Sequence, residues 1–312
     1  MSTLSETIAP LKRLRNVLLV LLAVVAGVLF PQGAPVVQRL TLLIVTFLVY
    51  SSLVGVSVDR DSVARSVLPV AGVLFVSYVV VPLVGGTWVG LFLSDGMALG
   101  VAAILATPAT AGSAIVWTRV ARGNVELAGI ATLSSLAVAP LLTPLVLAQL
   151  TTRSIAVPIG SLGTDLLIVT VTAVVLLVVV PTDAVNEGTM RYAAALSIAL
   201  LIYAGVGVTG TVPTSFVMLG RIGLVAIVVF AAGLVSGVLI VRLLDGTRED
   251  LVAVFFSGTL KNLGVSMLIV LSVSSQVAIF AVVGYYISQQ VASALLVDTA
   301  AFGTDALSPA FR

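Results

Sequence analysis

The sequence predicts an all-α polytopic membrane protein of ten transmembrane helices, arranged as two inverted repeats of five. Three observations predict it. Of 312 residues, 60% are hydrophobic and 9% are charged, with a mean hydropathy of +1.25, whereas soluble domains carry about 25% charged residues. Long apolar runs recur between the few charged side chains, and Lys and Arg are shared unevenly between alternate loops. The chain has no His and no Cys, which removes the usual haem, zinc and iron–sulfur ligand sets, disulfides and thiol nucleophiles.

A hydrocarbon core of about 30 Å needs about 20 apolar residues per helix. Uncharged runs occupy 17–38, 40–58, 66–94, 96–118, 127–152, 166–182, 192–220 and 222–241. A ninth, 251–271, holds one charge, and a tenth, 277–297, follows the polar turn Ser272, Ser274, Ser275 and Gln276. Lys12, Arg13 and Arg15 precede the first run as they would in a signal peptide. No small-residue cleavage site follows and a second span comes at once, so the run reads as an uncleaved first helix.

With ten spans, one side collects Lys12, Arg13, Arg15, Arg60, Arg65, Arg119, Arg122, Arg191, Arg242, Arg248 and Arg312, and the other only Arg39, Arg153 and Arg221. This bias predicts a multi-pass protein of the cell membrane with both termini cytoplasmic. The longest connection, 151–163, divides the chain into repeats 1–150 and 151–312. Five helices per half force the second copy to enter the membrane inverted, an architecture common in secondary transporters.

Two spans are interrupted at their centres. The fourth reads Thr107-Pro108-Ala109-Thr110-Ala111-Gly112-Ser113, with Thr107 its middle residue, and the ninth reads Ser257-Gly258-Thr259-Leu260-Lys261-Asn262, with Lys261 its middle residue. Pro108 removes a backbone donor, and Gly112 and Gly258 ease unwinding. A small-residue packing seam accounts for either break alone. Their matched position, fourth of five in each half, points to a substrate site near the midplane, where freed carbonyls face cations and half-helix N-termini face anions.

Gly123-Asn124-Val125-Glu126-Leu127, then Thr132, Ser134-Ser135-Leu136 and Ala139-Pro140-Leu141-Leu142-Thr143-Pro144-Leu145 resemble the fifth helix of the bile acid:sodium symporter family. The resemblance implies a panel of helices 1, 2, 6 and 7, a core of helices 3–5 and 8–10, crossing helices 4 and 9, and transport of organic anions such as bile acids, keto acids and pantothenate precursors, usually with sodium. It also marks departures. The family's fourth-helix serine and asparagine fall on Ser113 and Ala114, and its fifth-helix serine and threonine fall on Ala128 and Thr132, so Ser113 and Thr132 are the residual sodium-site equivalents. The ninth-helix Glu-x-Gly-x-Gln-Asn becomes Phe256-Ser257-Gly258-Thr259-Leu260-Lys261, with Asn262 next, and Gln289 and Gln290 stand where the tenth helix carries a polar pair.

Lys261 bears directly on coupling. Two positive charges about 5 Å apart at an effective dielectric near 20 repel by roughly 3 kcal/mol, about two decades of affinity. The lysine therefore argues against sodium. Facing the crossover cavity, it would take the cation's place, attracting the anion or exchanging a proton to couple transport. As a structural pin it would instead hydrogen-bond the loose carbonyls of helix four. Thr110, Ser113, Thr132, Ser257, Thr259, Asn262, Gln289 and Gln290 are the other candidate cavity residues. Trp88 and Trp117 read as interfacial anchors, and Phe256 as packing or a dry cavity wall. The partners expected are a small organic anion and the lipid bilayer, with no nucleic acid, no cofactor and no assigned oligomeric state.

Two other classes fit parts of the pattern. Ser257 and Lys261, four apart, have the spacing of a Ser–Lys hydrolytic dyad on one helix face, and Gly163-Thr164-Asp165 with Gly303-Thr304-Asp305 superficially matches aspartyl-protease motifs. A channel or sensor on a transporter fold is the other. The absence of a Walker motif leaves an ion or substrate gradient as the energy source.

Overall fold

The computed structural model describes residue 19 and residues 21–54, 60–151, 159–180, 186–209, 216–273 and 275–298. The N-terminal basic cluster, Arg153, Arg312, the 303–305 motif and most of the connection between the halves lie outside these residues. Among the described residues every regular element is helical. In chain order they are α1 (Leu21–Leu29), α2 (Ala34–Arg39), α3 (Thr41–Leu53), α4 (Arg60–Phe75), α5 (Val81–Phe92), α6 (Asp95–Ala106), α7 (Ala111–Val120), α8 (Val125–Leu150), α9 (Ile159–Val179), α10 (Glu187–Thr209), α11 (Phe216–Leu243), α12 (Arg248–Thr259), α13 (Leu263–Val273) and α14 (Gln276–Asp298).

Six helices are long and apolar enough to cross a membrane individually: Val63–Phe92, Val125–Leu150, Gly160–Val179, Gly188–Val208, Phe216–Leu243 and Gln276–Val297. The outer surface is apolar, with Val178 and Leu243 each 82% exposed, while hydroxyls, amides and Lys261 lie inside. Such a surface matches lipid rather than water.

Three expected spans differ in shape or bounds. The first run is bent by 92° between Leu21–Leu29 and Pro31–Arg39, because Pro31 opens a short 3₁₀ turn and supplies no donor to continue the preceding helix. The seventh and eighth runs divide between Thr209 and Phe216 rather than at Arg221, which lies inside α11. The intervening sequence carries Gly210 and Pro213, a stronger stop signal than one charge.

Helices α2, α3 and α10 pack on one another, α9 packs on α3 and α8, and α4–α8 pack with α11–α14. The tightest seam joins α6 to α14: a Cβ on Gly100 would collide with the Ala278 carbonyl and lie 2.7 Å from the Ala281 Cβ. Only glycine permits this backbone approach. Gly100→Val is expected to lower stability by about 1–3 kcal/mol through overpacking, read as a fall in the thermal midpoint of the detergent-purified protein. Gly90→Val, whose Cβ meets nothing within 4 Å, should leave the midpoint unchanged.

The starts of α8 and α12 are tied together. Asn124 caps α8 by accepting from Leu127 N at 3.0 Å and donates its amide to Asp250 Oδ1 at 2.8 Å. Thr247 and Asp250 form a capping box at the start of α12. These ties fix the start of α12, the first half of the broken ninth run, against the start of the continuous α8.

Candidate functional site

The site begins with a backbone accounting problem. Pro108 has no N–H, so the Ile104 carbonyl loses its helical donor; Thr107 supplies one from its hydroxyl at 2.7 Å and one from its N–H at 3.2 Å. The chain runs extended from Thr107 to Thr110 before α7 begins. In the other half α12 ends at Thr259, Leu260 is extended, and Asn262 accepts from Val265 N at 3.2 Å to start α13.

The two extended segments satisfy each other. Thr110 N donates to Leu260 O at 3.0 Å and Asn262 N to Pro108 O at 3.1 Å, pairing Ala109 with Lys261 in an antiparallel bridge. Asn262 N also reaches Thr107 Oγ1 at 3.2 Å. The inner groups are capped from neighbouring helices. Ala109 N donates to Ser135 Oγ of α8 at 3.0 Å, Lys261 N donates to Gln289 Oε1 of α14 at 3.1 Å, and Gln289 Nε2 returns a bond to Lys261 O at 3.1 Å. Orphaned backbone groups in an apolar interior are costly, and here the crossing and its two caps remove them.

The Lys261 side chain is fully buried, the only charged residue so buried among the described residues. Its ammonium donates to Ser77 O at 2.6 Å, Ser77 Oγ at 2.9 Å and Thr107 O at 3.1 Å, and stands 5.5 Å from the Tyr78 ring centroid. Three oxygens thus match three N–H groups, with the ring face adding a cation–π contact. The Ser77 carbonyl is free for a local reason. Residues Val76–Val80 form a π turn in which Val81 N reaches Val76 O, five residues back. The next bond in that register, to Ser77 O, would need an N–H from Pro82, which has none. Lys261 fills that vacancy.

A cavity of about 400 Å³ opens on the other face of the crossing. Thr110, Gly112, Ser113 and Trp117 line it from the fourth-run break and α7, Asn262, Leu263 and Gly264 from the ninth-run break and α13, and Tyr286 and Gln290 from α14. Ser51 and Ser52 of α3 and Ala194 and Ile198 of α10 form part of the opposite wall. The N-termini of α7 and α13 both open onto it, and among the described residues the lining carries no charged side chain. The Thr110 side chain does not cap α7, and a Cβ on Gly112 would meet open space.

The scan against family models matches residues 15–301 to the SBF-like CPA transporter family, which is related to the bile acid:sodium symporters. The chain belongs to this family. It is a multi-pass membrane protein of a transporter family. The curated proteins gave no significant match.

Within that family setting, the expected site residues divide. Thr110, Gly112, Ser113, Asn262 and Gln290 are gathered around the cavity. Lys261 does not face it: its side chain leaves the crossing toward Ser77, because alternate residues of an extended segment point to opposite sides and Asn262 takes the cavity side. Thr132 and Thr259 back-bond to Ala128 O and Phe255 O inside their own helices, and Gln289 serves the backbone of Lys261. Gly258 marks where α12 packs on the π turn, since a Cβ there would lie 2.7 Å from Val76 Cγ1. The Ser257 hydroxyl is buried without a hydrogen-bond partner, so no Ser257–Lys261 dyad is formed. Trp117 is part of the cavity wall, and Phe256 is not in that wall, being packed edge-on against Phe255 with ring centroids 4.9 Å apart. Ser77, Ser135 and Tyr286 were not singled out as site residues by the sequence. The detectable signal for Ser77 was a Ser-Tyr pair inside an apolar run, five residues before a proline.

Proposed function

We propose that this protein is a secondary active transporter that carries a small organic anion by alternating access, without sodium, because Lys261 supplies the positive charge that a bound cation supplies in related symporters. The observation that carries the reading is the pairing of two half-helix N-termini on one cavity, uncharged among the described residues, with a buried ammonium on the opposite face of the same crossing. Helix N-termini favour anions, and the apolar wall formed by α3 and α10 suits an organic body. The placement of the caps supports an inverted repeat of two five-helix halves, since Ser135 and Gln289 each belong to the fifth apolar run of their half and each caps the break in the fourth. The cavity lies between α3 and α10 of the proposed panel and α7, α13 and α14 of the proposed core, where relative movement of the two would expose it to alternate sides. In the cell membrane both termini would be cytoplasmic, following the basic loops.

The test is ligand stabilisation of the purified protein. Bile acids, 2-keto acids and pantothenate precursors are screened with sodium or choline as the cation and across pH. Binding to the native state raises the midpoint, by about 2.7 kcal/mol of stabilisation at a hundred-fold excess over Kd. At least one anion should raise it equally in sodium and in choline. If no organic anion shifts the midpoint in either salt, the reading fails.

A further inference from the structure

The cavity wall contains a hydrogen-bond chain whose polarity is set at one end. Trp117 Nε1 donates to Gln290 Oε1 at 2.9 Å, and Gln290 Nε2 donates to Ser113 Oγ at 2.9 Å. An indole N–H only donates. It therefore requires the oxygen of Gln290, and the amide nitrogen is turned toward Ser113. Ser113 Oγ, having accepted, still holds its own hydrogen. Counting from the indole, the chain ends in a spare Ser113 hydroxyl hydrogen at the cavity. Trp117, Gln290 and Ser113 all line the cavity.

We infer that Trp117 and Gln290 are positioning residues that fix the Ser113 hydroxyl as a hydrogen-bond donor, so that the cavity selects the acceptor-only carboxylate of its ligand against the corresponding amide. The inference rests on the anion reading above and adds the device that sets its selectivity. A carboxylate offers acceptors only, whereas an amide presents donor N–H groups to a wall that already donates. A site built around such polarity discriminates far more strongly than one built on apolar fit. In Trp117→Phe the ring surface stays, the N–H is lost and the Gln290 amide is free to turn over. Trp117 touches the ligand's polar group only through Gln290 and Ser113, so the variant should change selectivity rather than abolish binding.

Hexanoate and hexanamide are the probes, small enough for the cavity and differing only at the head group. Their affinities are measured by calorimetric titration on the purified wild type, Trp117→Phe and Gln290→Leu, each at a temperature well below its own midpoint. The wild type should prefer hexanoate by at least about ten-fold, and both variants should lose most of that preference, since one hydrogen bond to a charged group is worth about a decade or more. Two variants that act on different links keep the test informative if one fails to fold. A wild type that binds hexanoate but whose preference survives in both variants overturns the relay alone. A wild type that binds neither probe, or prefers the amide, overturns the relay, and the screen of other organic anions then decides whether the anion reading falls with it.

Discussion

Lys261→Met is expected to cut organic-anion transport by at least about ten-fold, while its effects on the thermal midpoint largely offset one another. The two effects separate because they have different sources. Removing the ammonium leaves Ser77 O and Thr107 O without the donors they now have at 2.6 and 3.1 Å, at about 1–3 kcal/mol each. Against this, an apolar side chain avoids the roughly 2.5–3.5 kcal/mol of inserting a lysine at membrane depth, and replacing buried charge with well-packed apolar volume is often neutral. The two terms largely offset, leaving a net change between about 1.5 kcal/mol of gain and about 3.5 kcal/mol of loss. The charge has no such substitute. A unit positive charge about 8 Å behind a bound anion, at an effective dielectric near 20, stabilises it by about 2 kcal/mol, more than a decade of affinity. Uptake by reconstituted vesicles and the midpoint of the same preparation check both halves of the statement. Normal uptake in Lys261→Met would reduce the lysine to a structural pin.

Gln289→Leu should do the opposite and act first on stability. Its amide accepts from Lys261 N and donates to Lys261 O, both at 3.1 Å, at a fully buried position. Leucine leaves both backbone groups without a partner, at about 1–3 kcal/mol each, or roughly 2–6 kcal/mol together. The crossing would have to open or admit water to recover them. Ser293→Ala serves as the comparison: Ser293 is also buried on α14, but its hydroxyl only back-bonds to Gln289 O at 2.7 Å, and its loss should cost under about 1 kcal/mol. Thermal unfolding in detergent, followed by loss of monodispersity, distinguishes the two. Equal midpoints for Gln289→Leu and Ser293→Ala would mean that the second cap carries no weight.

The two interruptions were legible in the sequence, because Pro108 and the polar cluster around Lys261 occupy the same fractional position in two apolar runs, and the family resemblance implied that the two broken helices cross. The direction of the Lys261 side chain was not. Helical spacing places Ser257 and Lys261 on one face, but the helix ends at Thr259, and in the extended stretch beyond it alternation governs instead. That one change of period sends Asn262 to the cavity and Lys261 to Ser77. Ser77 was harder to read because its importance lies in a carbonyl freed by Pro82 in a π register, signalled only by a Ser-Tyr pair five residues before a proline. Trp117 sits at the end of α7, where an aromatic ordinarily meets the lipid interface, and its place in the cavity wall follows from an indole bond to Gln290, 173 residues away, which leaves no local sequence signal. Composition fixed the surroundings of the site well, and the geometry at the break decided which face each polar group serves.

The claim that a tethered ammonium stands in for a coupling cation is tested most directly by initial rates of uptake into proteoliposomes, using the anion that most stabilises the protein, with an inward sodium gradient or with choline replacing sodium at equal ionic strength. Equal rates in the two salts, lost in both on Lys261→Met, are the predicted result. Uptake that requires sodium in the wild type would contradict it.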